Sequence, residues 1–126
     1  MKFATAATSG RAAKNERQRR DRAAAPLLRT SYPRLATLQL DFEFNDNTEF
    51  LPSPQVTVLH PPARAYFCFA CPYGDCDGEF DLRSPVDRMV SADEASCDGQ
   101  MQCSGTRHAG ARCTLRLDYS IAAQWT

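Results

Sequence analysis

The chain has 126 residues, 43% of them hydrophobic, and its 15 basic and 15 acidic residues cancel. That length holds one domain and an appended segment. No apolar run approaches the roughly 18 residues of a membrane span, and Lys2-Phe-Ala-Thr-Ala-Ala-Thr8 is too short and too weakly apolar for a secretory signal.

Residues 1–34 carry nine Lys/Arg against Glu16 and Asp21, a net +7, whereas residues 35–126 carry six Arg against thirteen acids, a net −7. This divides the chain into a basic arm (1–34) that seeks a polyanion and an acidic body (35–126). Residues 1–10 are small and polar and read as disordered. Residues 11–25 favour a helix with Ser9 as its cap and Pro26 as its stop. From Arg11 onward its non-polar residues are all Ala, so it has no apolar stripe to pack with and should fray when alone in water.

Leu38–Asn45 alternates strictly, with Leu38, Leu40, Phe42 and Phe44 on one face and Gln39, Asp41, Glu43 and Asn45 on the other, which predicts a half-buried strand. A turn follows at Asn45–Thr48. Pro52 and Pro54 mark a loop, and Val56–Leu59 is a short strand stopped by Pro61-Pro62. Ala65–Cys71 and Glu79–Leu82 read as a hairpin across a Cys-bounded turn. Ser84-Pro85 then starts a short helix to Val90, with Ser84 as N-cap and Pro85 in the first turn. Asp93–Gly99 reads as a loop. Gln100–Cys103 and Arg112–Ala122 form a second hairpin, in which Cys113 shares its parity with Leu115, Leu117, Tyr119 and Ile121 and therefore points inward. The expected fold is mainly β, a small α+β arrangement of antiparallel hairpins.

All six cysteines lie between residues 68 and 113. Cys71 and Cys76 bound one turn and Cys103 and Cys113 the other, and two thiols at each of two turns is how a tetrahedral Zn²⁺ site is commonly assembled. The intervals, four and nine residues, are longer than the familiar C-x₂-C. Cys68 with Cys71 has that shorter spacing, but within Tyr66-Phe-Cys-Phe69 it reads as a small core residue. Cys97 sits in the expected loop and is left over. His60 and His108 read as ordinary loop histidines. With no export signal, the compartment expected is the cytoplasm, where clustered thiols bind metal more often than they form disulfides; an even count keeps the disulfide alternative open.

The motif Cys-Pro-Tyr-Gly-Asp-Cys also echoes the CPYC of glutaredoxin-like redox sites, with two extra residues and a strand in place of the helix that would lower a thiol pKa. Asp75, Asp77, Glu79 and Asp81 resemble part of a calcium loop whose remaining ligands are missing. They read better as an exposed acidic strand face that accepts hydrogen bonds beside the thiols or holds the basic arm folded back on the body.

The stretch CPYGDCDGEFDL, with Leu59-His-Pro-Pro-Ala-Arg-Ala65 before it and Cys103-x-Gly105 after it, resembles a group of small uncharacterised bacterial proteins sharing a CPYxDCDGxFDL motif. The likeness runs from about Arg17 to Ile121. It implies a zinc-ribbon-like site with Cys71, Cys76, Cys103 and Cys113 as the thiols, matches Cys68 less well, and implies no activity.

Among the arm's cations, Arg11, Lys14, Arg17, Arg19, Arg20 and Arg22 spread around most of a helix, which suits a segment lying on phosphates. No recognition helix or RNA-binding aromatic motif accompanies them. No nucleophile elbow, phosphate loop, zinc-protease or deaminase signature is present, and a four-thiolate zinc has no open position for water. The expected function is a non-enzymatic, zinc-stabilised accessory protein whose arm docks on nucleic acid or a nucleoprotein such as ribosome or polymerase, with RNA backbone favoured. The alternatives are a protein–protein adaptor with a solvated tail and, more weakly, a thiol redox or metal-handling protein.

Overall fold

In the computed structural model, residues 2–126 are described, with side chains from residue 12 onward. The fold is α+β. Two helices, α1 (Lys2–Ala24) and α2 (Leu28–Ser31), precede strands β1 (Leu35–Asn45), β2 (Gln55–Leu59), β3 (Cys68–Ala70) and β4 (Glu79–Asp81). Helix α3 (Arg83–Ser91), strand β5 (Ser96–Gln102), a single 3₁₀ turn (His108–Gly110) and strand β6 (Arg116–Trp125) complete it. Four strands form one antiparallel sheet in the order β2-β1-β6-β5, and β3-β4 form a separate hairpin. Among the described residues, no helix is long and apolar enough to cross a membrane.

Alternation builds the sheet as expected. Leu38, Leu40, Phe42 and Phe44 are buried, and across the β1–β6 ladder Leu40 faces Ile121, Phe42 faces Tyr119 and Phe44 faces Leu117. The small hairpin and α3 cover this inner face with Phe80, Leu82, Val86 and Met89, and Leu28 and Phe67 join the same core. Phe42 meets the Phe69 ring edge-on at 5.0 Å, the T-shaped geometry that aromatic quadrupoles prefer. The other face of the sheet carries Gln39, Asp41, Glu43, Asp118, Ser120 and Asp98, a solvated face of the kind antiparallel sheets tolerate.

Several expected boundaries move. The strand β5 starts at Ser96, inside the stretch expected to be a loop, because Ser96, Asp98 and Gln100 face solvent while Cys97, Gly99 and Met101 face inward. Cys97 is therefore a half-buried strand residue at the margin of the core. The strand β3 is shorter than the expected Ala65–Cys71, and β6 starts at Arg116 rather than Arg112 and continues to Trp125.

The helix α3 is capped at Leu82, not Ser84; the Asp81 carboxylate accepts from the Arg83 N–H at 3.0 Å and takes over the work of a cap, leaving Pro85 in the first turn, where no N–H is needed. The helix α1 begins at Lys2, so Ser9 lies inside it rather than capping it.

Candidate metal centre

The tips of two hairpins meet. Cys71 follows β3 and Cys76 precedes β4, while Cys103 follows β5 and the Cys113 segment leads into β6. All four side chains are buried, at most 1% exposed, and their sulfur atoms all lie within 4.8 Å of one another. Sulfurs at the corners of a tetrahedron with Zn–S bonds near 2.3 Å would be about 3.8 Å apart; Cys76 Sγ and Cys103 Sγ are 3.7 Å apart. That separation is far beyond a disulfide bond of about 2.05 Å.

The backbone around the thiols is shaped for sulfur. Each inner cysteine is followed two residues later by glycine, and in both cases the glycine N–H donates back to the sulfur. Gly78 N reaches Cys76 Sγ at 3.3 Å, and Gly105 N reaches Cys103 Sγ at 3.4 Å. Charge-assisted bonds of this kind favour the thiolate.

The glycines are required because the two turns pack backbone to backbone. A Cβ on Gly105 would lie 2.3 Å from Gly78 N and 2.8 Å from Cys76 Sγ, and one on Gly78 would lie 2.3 Å from Cys103 Sγ. Main-chain bonds lock the pair further: Cys71 N to Gly78 O at 3.0 Å, Cys113 N to Gly105 O at 3.0 Å, and Asp77 N to Thr106 O at 3.2 Å.

A polar collar surrounds this knot, and it uses the acidic residues of the first turn. Asp77 accepts from Thr106 N at 2.7 Å, and Asp75 accepts from Arg107 Nε at 2.8 Å and from His108 N at 3.2 Å. Arg107 also stacks 4.0 Å from the centre of the Tyr73 ring, whose hydroxyl donates to Asp46 at 2.6 Å. Thr114 donates to the other Asp46 oxygen at 2.7 Å, so β1's end, the first turn and the second turn are joined at one carboxylate. His108 contributes its backbone rather than its ring, and His60 lies elsewhere, after β2.

Burial dominates the acid–base behaviour of Cys71 and Cys103. It pushes Cys71 far above the ordinary thiol range, and it pushes Cys103 up to about 12, partly offset by the Gly105 N–H and reinforced by Cys113 and Cys76. A cation is what would draw protons off Cys71 and Cys103 and hold the four sulfurs together.

Cys68 lies outside this cluster. It is half-buried beneath α1 rather than in the core, where the Gln18 amide reaches its sulfur at 3.8 Å. Burial, then the Glu79 carboxylate, pushes its thiol up to about 11, the opposite of what a redox nucleophile needs. It lines a hollow of about 410 Å³ between α1 and the small hairpin, together with Arg17, Tyr66 and Glu79.

The arm cations are distributed unequally. The side chain of Arg11 lies outside the described residues. Lys14 is buried, and its ammonium donates to the Gly78 carbonyl and, more distantly, to the Cys76 carbonyl at 3.5 Å. Arg17 donates to both Glu79 oxygens, at 3.1 and 3.2 Å, and lies 3.9 Å from Asp21. Gln18, also buried, donates to Glu79 at 2.6 Å. Arg22 lies over the Tyr66 ring at 5.2 Å, Arg19 pairs with Glu16, and Arg20 is exposed.

Of the four acids, Glu79 holds the basic helix against the body, while Asp75 and Asp77 accept from the second turn and Asp81 from Arg83. The docked face is Lys14, Gln18 and Arg22, one residue per turn, and because every member is polar no hydrophobic periodicity announces it. The Gly-Sγ bonds were foreshadowed only by the recurring Cys-x-Gly. No protein-family model, curated protein or solved structure matches this chain, so the site is defined by its own geometry.

Proposed function

We propose that the chain is a non-enzymatic, zinc-stapled interaction protein in which Cys71, Cys76, Cys103 and Cys113 hold one structural Zn²⁺. The observation that carries this reading is the convergence of four buried sulfurs within 4.8 Å, each turn lined with glycine N–H donors. All-sulfur, closed tetrahedral surroundings suit zinc and leave no position for a substrate. Metal analysis of the reduced protein should find one zinc per chain, lost on Cys→Ser substitution at any of the four and retained in Cys68→Ser and Cys97→Ser. Zinc binding that survives Cys103→Ser or Cys113→Ser unchanged would sink the assignment.

Two observations bear on the partner. The edge strand β2 presents Val56 and Val58 to solvent, 65% and 45% exposed, and follows a loop bearing Phe50 at 84%. Its backbone edge is open and its five residues are uncharged, which supports a protein–protein adaptor joined at that edge. A photo-crosslinker at position 58 should give protein adducts in cell extract that one at position 98, on the opposite edge strand β5, does not; equal yields at both would end that reading.

Docking on nucleic acid or a nucleoprotein is supported by the exposed Arg19, Arg20 and Arg22, a smaller set than the arm's composition promised. Lys14 and Arg17 already serve the fold. Absence of salt-sensitive RNA or DNA binding at low ionic strength would remove it.

A further inference from the structure

The helix α1 is attached to the metal centre itself, not merely to a neighbouring surface. Lys14 is 6% exposed, and its ammonium donates to the carbonyls of Gly78 and Cys76. One of these residues supplies a sulfur, and the other donates its N–H to that sulfur at 3.3 Å. The ammonium therefore touches the peptide groups that shape the ligand turn. A zinc ion with four thiolates carries a net charge of −2. A buried cation is costly unless opposite charge is close by, and a buried dianion likewise.

We propose that Lys14 is the counter-ion of the tetrathiolate centre, so that metal binding and docking of α1 are thermodynamically coupled. This rests on the zinc reading above. Metal in the cluster stabilises the ammonium in its pocket, and the ammonium in its pocket strengthens metal binding by the same factor, because coupling between two sites is reciprocal. Arg17 and Gln18 on Glu79, the first residue of β4, hold the helix in register while Lys14 reads the centre.

When metal leaves, the attachment loses the negative charge of the centre. From residue 12 onward what remains is polar, Arg17 and Gln18 on Glu79 and Arg22 over Tyr66, since the non-polar side chains there are all alanine. An undocked α1 presents Lys14 and Arg17 to solvent beside Arg19, Arg20 and Arg22. The centre thus controls how much positive charge the surface displays.

The test uses the full chain, with Zn²⁺ as the only added ligand. Zinc affinity is measured by chelator competition for the wild type, Lys14→Met and Lys14→Arg, with Arg88→Ala as a charge control on α3. Hydrogen exchange of residues 15–24 is followed with and without zinc. Lys14→Met keeps the length and apolar stem but removes the charge. It should weaken zinc binding about tenfold or more, with Co²⁺ absorption still reporting four thiolates, and Lys14→Arg should recover part of the loss.

Removing zinc from the wild type should raise exchange over residues 15–24, and the zinc dependence should shrink in Lys14→Met. Equal zinc affinity in wild type and Lys14→Met overturns the coupling. A wild type that binds no zinc overturns the zinc reading and the coupling with it. Zinc binding with identical exchange in both states overturns the coupling alone.

Discussion

The two hairpins that bring the thiols together are built on opposite terms. The β5–β6 hairpin has strands of seven and ten residues, belongs to a four-stranded sheet, and buries Leu117, Tyr119 and Ile121 on one face. The β3–β4 hairpin has three residues in each strand and no further strand beside it. A lone two-stranded hairpin is marginal in water. Its anchors are Phe80 beneath it, the four-thiol knot at its tip and the polar face of α1 above it. The difference teaches where a metal would be needed: an ion held by the four thiols would secure the piece that cannot support itself and, on the coupling proposed for Lys14, would reach the helix that cannot pack itself.

Stripping the metal tests this contrast most severely. Structural zinc in small domains contributes on the order of 10 kcal/mol of apparent binding free energy near neutral pH. Chelation, or Cys76→Ser, should strip amide protection from residues 68–82 while the centre of β1 and β6 stays protected, read by hydrogen exchange. If both hairpins lose protection together, the sheet depends on the metal as much as the small hairpin does, and the comparison breaks.

Acid–base behaviour sharpens the same contrast. Burial pushes the Cys103 thiol up to about 12 from the ordinary 9, so a compact metal-free form prefers Cys103 neutral. That contribution is present below pH 9 and is lost as pH rises toward about 12. Zinc requires thiolates, so its binding at neutral pH should release about four protons and its affinity should climb with pH. Calorimetry in buffers of different ionisation enthalpy counts those protons. A release near zero would mean that carboxylates rather than thiols hold the ion.

A smaller effect probes the contact between the two turns. Gly105→Ala forces a Cβ to within 2.3 and 2.4 Å of the Gly78 N and Cα, backbone atoms that cannot swing aside. Overpacking of this kind costs about 1 to 3 kcal/mol. Gly74→Ala, in the first turn but with nothing within 4 Å of its new Cβ, should be neutral or gain up to about 1 kcal/mol from a stiffer unfolded chain. Denaturant unfolding of the zinc-loaded variants separates them; equal midpoints would show that the turns do not need their close approach.

The long strands and the convergence of Cys71, Cys76, Cys103 and Cys113 were legible in the amino-acid sequence, the strands from their alternation and the thiols from their pairing at two turns. Period-two alternation along Leu38–Phe44 and Cys113–Ile121 follows directly from one buried face, and it carried Cys113 inward with its neighbours. Where burial has no period, reading fails. Cys68 lies in an aromatic stretch, yet it faces α1 and not the core, because the helix covering it is polar and leaves no trace in the alternation. Cys97 looked like a loop residue because Ser96-Cys-Asp-Gly99 is rich in turn formers; pairing with β6 overrides those local preferences. Lys14 resembled every other cation of the arm. Its difference is the turn opposite it, more than sixty residues away, and no local pattern encodes that.

The weakest expected effect sits at the far end of the long Cys103–Cys113 loop. Ala109 has φ of 66°, in the left-handed region, followed by Gly110 at 82°. An L-residue other than glycine is held there at a cost of about 1 to 2 kcal/mol. Glycine removes that cost but enlarges the unfolded ensemble, so Ala109→Gly should stabilise the zinc-loaded protein by less than about 1 kcal/mol, seen as a small rise in the unfolding midpoint. The neighbouring bonds, Arg107 N to Ala111 O at 2.6 Å and Arg107 to Asp75, hold the loop's base and do not involve the Ala109 side chain. A destabilised Ala109→Gly would mean that the stiffness of this loop, and not only its thiols, helps present Cys103 and Cys113 to the smaller hairpin.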